Sequence, residues 1–229
     1  MSVINEKFDP IIWENIEKES ENFHSRKPFK FLFAENVFTP EFYNKLYDTY
    51  PEIDEKWDDS KAWSKKQFVR GWFNIHYGNV VDDVEDPNLS KEWNKLFSYF
   101  HSKEFIEKIK AITRVDVNKL KTFRFVNYRK GGFQVPHIHN DGTRTIIMFF
   151  YFSKNWKEGD AGGTYVSSEE DEKTIIFEPY NLDNSMVILH DGPYSAHGVR
   201  RITKDVERRA IQIYLEFYSS ENGWSGQNT

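Results

Sequence analysis

Five side chains in the second half of the chain could do chemistry together: His139, Asp141, His197, and the neighbours Arg208 and Arg209. Two imidazoles and one carboxylate can occupy one face of an octahedral ion. The opposite face stays open, which suits a ferrous centre that must bind O2 and a chelating molecule. An arginine fork matches the far carboxylate of a dicarboxylic acid.

His139 and Asp141 are two residues apart, so on an extended segment they point to the same side. His197 lies 197 − 139 = 58 residues further on, which leaves room for several strands between them. His137 stands at the same spacing before His139, so a His137-x-His139 pair is also available. The register His139/Asp141 is favoured because it keeps a carboxylate among the ligands. Arg208 and Arg209 are adjacent on an expected strand and face opposite sides. Arg209 shares its side with Ile211, Ile213, Leu215 and Phe217, and Arg208 with Ala210, Gln212 and Tyr214. The apolar side should be covered by helices and the polar side should look into a barrel. Arg208 is therefore the favoured carboxylate partner, with Arg209 as the alternative.

The elements that must hold these groups divide the chain in two. Residues 9–23 read as an amphipathic helix, 29–33 as a short strand, 40–50 as a helix and 90–112 as a helix with an apolar stripe. Thr39 and Pro40 suit a helix start, and Pro51 a stop. The segment 55–80, with Trp57, Trp63 and Trp72, has no clear period. It could pack in the core or close over the site as a lid. After about residue 119, short apolar runs alternate with Gly, Asn and Asp breaks. Strands are expected at 121–129, 133–138, 144–153, 163–166, 174–178, 186–190, 195–200 and 208–218. The expected class is mainly β with a helical N-terminal extension. One domain spans 1–229, made of an extension (1–120), a β core (121–218) and a tail (219–229).

Composition narrows the function classes. The chain has 229 residues, 17% aromatic, and a formal net charge of −5. A broad basic face for nucleic acid is not expected. Without cysteine there are no disulfides, thiolate metal sites or cysteine nucleophiles. The longest apolar run, Ile146 to Phe152, is too short to span a bilayer, and the first residues do not read as a secretory signal. A soluble, cytoplasmic protein is the expectation, with the oligomeric state open.

The runs GGFQVPHIHNDGTRTIIMFFYF, DAGGTYV, SAHGV and ERRAIQIYL occur in this order. Together they resemble the iron(II)/2-oxoglutarate-dependent dioxygenases, particularly the prolyl 4-hydroxylase-like branch, over about residues 121–218. The resemblance implies a double-stranded β-helix (jelly-roll) core. It implies His139, Asp141 and His197 as Fe(II) ligands, 2-oxoglutarate as co-substrate beside Arg208 and Tyr128, and O2 as oxidant. Oxidative decarboxylation would release succinate and CO2 and hydroxylate a small-molecule or peptide substrate. In many relatives Pro precedes the first ligand. Here Pro136 precedes His137, and in that register His139 stands where the carboxylate normally does. Retention of Asp141 favours hydroxylation over halogenation.

The second reading is a cupin-type metal-dependent isomerase or oxygenase that uses no 2-oxoglutarate. It shares the barrel and the His137-x-His139 pair, but Thr143 and Arg144 stand where its glutamate belongs. A non-catalytic binding module is the third. Gly162-Gly163 reads as a tight turn and His190 as a hydrogen-bonded structural histidine. His24, His76 and His101 need no functional role.

Overall fold

The computed structural model describes residues 8–73 and 82–228. In chain order the helices and strands are α1 (Trp13–Glu17), α2 (Ser20–Ser25), β1 (Phe31–Glu35), α3 (Pro40–Asp48), β2 (Asp58–Ala62) and β3 (Lys65–Gly71). Then come α4 (Lys91–His101), α5 (Lys103–Thr113), β4 (Lys119–Tyr128), β5 (Phe133–His137), β6 (Thr145–Phe152) and β7 (Thr164–Ser167). The chain closes with β8 (Ile175–Phe177), β9 (Asp183–His190), β10 (His197–Val199), β11 (Arg208–Glu216), β12 (Tyr218–Ser219) and β13 (Gly223–Trp224).

Eleven strands form one antiparallel sheet in the order β1-β9-β6-β11-β4-β3-β5-β10-β7-β8, with β2 paired to β3, and β12 pairs separately with β13. β3 is where the sheet turns. Its second half, Phe68 to Gly71, pairs with β4, and its first residues, Lys65 and Lys66, pair with β5. The strands beyond the turn fold back over those before it. Contacts across the gap show the closure: Tyr151 on β6 accepts the Thr164 backbone N–H of β7 at 3.1 Å. This is a jelly roll, as the sequence led one to expect.

Side-chain alternation sorts the core into two layers. Ile146, Met148, Phe150 and Phe152 of β6 join Ile211, Ile213 and Leu215 of β11 and Phe123 and Phe125 of β4 in a cluster that also holds the apolar residues of α3, α4 and α5. Ile147, Phe149 and Tyr151, with Ala210, Tyr214, Val126 and Tyr128, form a second cluster inside the roll. β6 is therefore buried on both faces, which explains its unbroken apolar sequence. Tyr50 ties the helical layer to the roll. Its hydroxyl lies 2.9 and 3.1 Å from the carbonyls of Ala210 and Val126.

Two expected helices come as pairs. The helix expected over 90–112 divides at Ser102, whose extended backbone ends α4 and whose hydroxyl caps α5 by accepting the Phe105 N–H at 3.1 Å. The helix expected over 9–23 divides at 18–19, where the Glu19 N–H reaches back three residues to Ile16. The Trp-rich segment supplies the β2–β3 hairpin. Trp72 is buried and stacks on Phe97 at 3.9 Å, and Trp57 is buried beside Tyr50, so both indoles belong to the core. Trp63, at the hairpin tip, is 88% exposed. His76 and the rest of 74–81, part of the segment read as a possible lid, lie outside the described residues. No helix among the described residues is long and apolar enough to cross a membrane.

The two exposures set up a direct comparison. Trp72→Ala should destabilise the protein by about 3–5 kcal/mol, the usual cost of emptying a large aromatic site. Trp63→Ala should change stability by less than about 0.5 kcal/mol. Urea unfolding of both variants measures this, and similar losses for the two would refute the assignment of Trp72 to the core.

Candidate metal and co-substrate site

The turn at β3 brings β5 against β10, and their antiparallel register sets His137 directly opposite His197. His139, two residues beyond His137, folds onto the same side. The ligand atoms of His137, His139 and His197 all lie within 4.8 Å of one another, and this is the single group among the described residues that could hold a metal ion. His197 is buried and the other two are half-buried. The Nε2 atoms of His137 and His139 are 3.2 Å apart. Two cis ligands at a metal–nitrogen distance of roughly 2.1 Å would be about 3 Å apart.

Ring tautomers follow from the hydrogen bonds. Nδ1 of His137 lies 3.0 Å from the Val135 carbonyl, and Nδ1 of His197 lies 2.8 Å from the Ser195 carbonyl. A carbonyl only accepts, so both Nδ1 atoms carry the proton and both Nε2 lone pairs point inward. Burial is the main cause holding all three imidazoles below the ordinary histidine range, with His139 at about 3. Mutual repulsion adds to this for His139 and His197. Neutral imidazoles are the form that ligates metal.

The structure does not bring Asp141 into this group. The i, i+2 argument requires an extended chain, but β5 ends at His137 and Asn140 adopts a left-handed φ of 53°. Asp141 is carried instead toward Asp191, whose carboxylate accepts its backbone N–H. Burial raises the Asp141 carboxyl above its ordinary range, against the attraction of Lys121.

The two arginines part as strand alternation dictates. Arg208 is fully buried inside the roll. Its Nε donates to the Gly162 carbonyl and its Nη2 to the Thr164 hydroxyl, each at 2.9 Å. Its guanidinium lies 5.1 Å from the Tyr128 ring and 4.9 Å from the Tyr151 ring. Its Nη1 is buried with no hydrogen-bond partner. A buried guanidinium N–H without an acceptor is costly, and a carboxylate would satisfy it. Arg209 lies on the other side of the strand. It pairs with Glu207 at 2.9 Å and sits over Tyr50, in the helical layer.

Tyr128 is buried beside Arg208, and its hydroxyl lies 2.6 Å from Gln67 Oε1 and 3.1 Å from Gln134 Oε1. Gly162 and Gly163 make the close approach behind Arg208. A Cβ on Gly162 would stand 2.5 Å from Trp156 Nε1, and one on Gly163 would stand 2.1 Å from the Pro179 carbonyl oxygen. His190 is structural, with Nε2 donating to the Thr143 carbonyl at 2.8 Å.

Four contributors were not singled out from the sequence for the site: Tyr151, Thr164, Tyr214 and Arg124. Tyr214 places its hydroxyl 3.2 Å from His139 Nε2 and takes a hydrogen bond from Gln212 at 3.1 Å. Arg124 stands 5.9 Å from the Tyr214 ring. The alternation that separates Arg208 from Arg209 also puts Tyr151 on the side of Phe149, and Tyr214 on the side of Arg208, so that signal was present.

Comparison with known proteins agrees with this geometry. Residues 123–216 match the 2OG-Fe(II) oxygenase superfamily. No curated protein sequence matches the chain. Among solved structures, a prolyl-4-hydroxylase from Pseudomonas putida is similar with a TM-score of 0.61 and 11% identity, covering 89% of this chain and 100% of its own. A prolyl hydroxylase from Trichoplax adhaerens, in complex with a hypoxia inducible factor peptide fragment, has a TM-score of 0.59 and 11% identity over 89% of this chain and 88% of its own. HygX from Streptomyces hygroscopicus, with nickel, 2-oxoglutarate and hygromycin B bound, has a TM-score of 0.55 and 11% identity over 86% of each. At such identities these likenesses show the fold alone. The family match is confined to residues 123–216, the β core, and the structural likenesses show the jelly-roll fold around it.

Proposed function

We propose that the protein is an Fe(II)- and 2-oxoglutarate-dependent oxygenase that hydroxylates a small-molecule or peptide substrate, and that His137, His139 and His197 would hold the iron. The observation that carries the ligand set is the 3.2 Å separation of the His137 and His139 Nε2 atoms, in a group with His197 whose ligand atoms all lie within 4.8 Å of one another. Nitrogens that close require a proton or a cation between them. Asp141, expected from the sequence as the carboxylate ligand beside His139 and His197, takes an outer position in this reading. Bound here, Fe(II) and 2-oxoglutarate supply the oxidising chemistry, consuming O2, releasing succinate and CO2, and delivering one oxygen atom to a substrate C–H bond.

The chain's own residues do the placing. Arg208 offers its unsatisfied Nη1 to the distal carboxylate, and Gly162 and Thr164 hold its fork still. Tyr128 and Tyr151 flank that guanidinium and keep water away from it. The carbonyls of Val135 and Ser195 fix the imidazole tautomers. A peptide substrate is supported by the likeness to a prolyl hydroxylase in complex with a peptide fragment, and a small molecule by the likeness to HygX with hygromycin B bound. The cupin-type alternative without 2-oxoglutarate gives Arg208 no partner for its buried nitrogen, so the first reading is preferred.

Metal titration with Co(II) tests the ligand set. His137→Ala should weaken binding by more than about 100-fold, beyond what loss of an outer partner costs. Asp141→Asn should weaken it by less than about 10-fold. The reverse ranking would restore Asp141 as ligand and remove His137.

The co-substrate pocket has its own test. Arg208→Ala should reduce 2-oxoglutarate affinity on the order of 100-fold, as truncation of a buried charge partner does. Arg209→Ala should reduce it by less than about threefold, since it takes away only an ion pair outside the roll. Calorimetric titration of both variants decides it, and a larger loss in Arg209→Ala would transfer the role.

A further inference from the structure

Two of the three imidazoles are placed by the sheet and the third is not. His137 and His197 are strand residues paired across β5 and β10, whereas His139 lies two residues past the end of β5. The segment that follows it, 140–144, belongs to no strand, so its position depends on what its groups are bonded to. The first backbone hydrogen bond after His139 is given by the Asp141 N–H, and its acceptor is Oδ2 of Asp191. Asp191 also reaches the other ligand segment. Its Oδ1 accepts from the Ser195 hydroxyl at 3.0 Å, and the Ser195 carbonyl accepts from Nδ1 of His197 at 2.8 Å.

One carboxylate thus joins the chain just after His139 to the chain just before His197. Neighbouring bonds run between the same two segments. The Asp191 N–H donates to the Thr145 carbonyl at 3.1 Å, and His190 Nε2 donates to the Thr143 carbonyl at 2.8 Å. Asp191 is 2% exposed, and among the described residues it forms no ion pair. A buried carboxylate without a cation is costly to keep unless its oxygens are satisfied. Here each oxygen is taken by one of the segments it joins. Resting on the ligand set proposed above, we propose that Asp191 is a positioning residue of the metal centre. It braces the segment after His139 against the segment before His197, and so keeps the His139 imidazole on the ion.

The test loads the full chain with Cu(II) and counts the coordinated imidazoles from the couplings of their remote ring nitrogens, by electron spin echo spectroscopy. The unmodified protein should show three. Asp191→Ala should show two, with Cu(II) affinity lowered about 10- to 100-fold, the usual cost of losing a group that orients a ligand. Asp191→Asn should keep all three and most of the affinity. Its amide oxygen can accept the Asp141 N–H and its Nδ2 can donate to Ser195 Oγ, whose proton then goes to the Gly192 carbonyl 2.7 Å away. A residue that only stabilised the fold would lower the unfolding midpoint in Asp191→Ala and leave three couplings in the folded protein. That result overturns the proposal. A coupling lost in Asp191→Asn as well overturns it too, because charge rather than the bridge would then be the cause. If Asp191→Ala does not fold, Asp191→Ser takes its place, since a serine hydroxyl is too short to span both partners. Two couplings in the unmodified protein would remove the three-imidazole set and this proposal together. Three in the unmodified protein and three in Asp191→Ala would remove this proposal alone.

Discussion

The cross-strand pairing of His137 with His197 is the constraint on which the rest of the structure depends. It requires β5 and β10 to be neighbours, although 197 − 137 = 60 residues separate the two histidines. That neighbourhood exists because the sheet turns at β3, which pairs with β4 at one end and β5 at the other. Remove that turn and the two halves of the sheet would lie flat, with the imidazoles far from Arg208.

A second physical rule, the two-residue alternation of strands, distributes function between two faces. On β11 it sends Arg208, Ala210 and Tyr214 inward, and Ile211, Ile213 and Leu215 out to the helices. The helical layer contributes burial and supplies Tyr50 at the junction, while Arg208, Tyr128 and Tyr214 lie inside the roll. Glycine at 162 and 163 lets the backbone behind Arg208 pack against Trp156 and Pro179, so its carbonyl can hold the guanidinium.

Much of this was legible in the sequence. The strands of residues 119–216 announce themselves as short apolar runs between Gly, Asn and Asp breaks, and the placement of Arg208 and Arg209 on opposite faces follows from adjacency alone. The β2–β3 hairpin was not legible, because β2 reads Asp-Asp-Ser-Lys-Ala and carries no apolar face. The helix division at Ser102 was hidden by an apolar stripe that runs on across it. At the metal site, His137, His139 and Asp141 offer two registers of equal spacing. Chemical preference for a carboxylate selected the second, whereas the left-handed backbone at Asn140 turns Asp141 away. A single left-handed asparagine is poorly marked in sequence, since asparagine occupies ordinary conformations as readily. The inner face of β4, with Arg124 on it, was readable by the same alternation.

The central claim is that three imidazoles share one ion. Pulsed electron paramagnetic resonance of protein loaded with a vanadyl ion counts the ring nitrogens bound to it directly. The account predicts three imidazole couplings, falling to two in His137→Ala and staying at three in Asp141→Asn. Two couplings in the unmodified protein would contradict it.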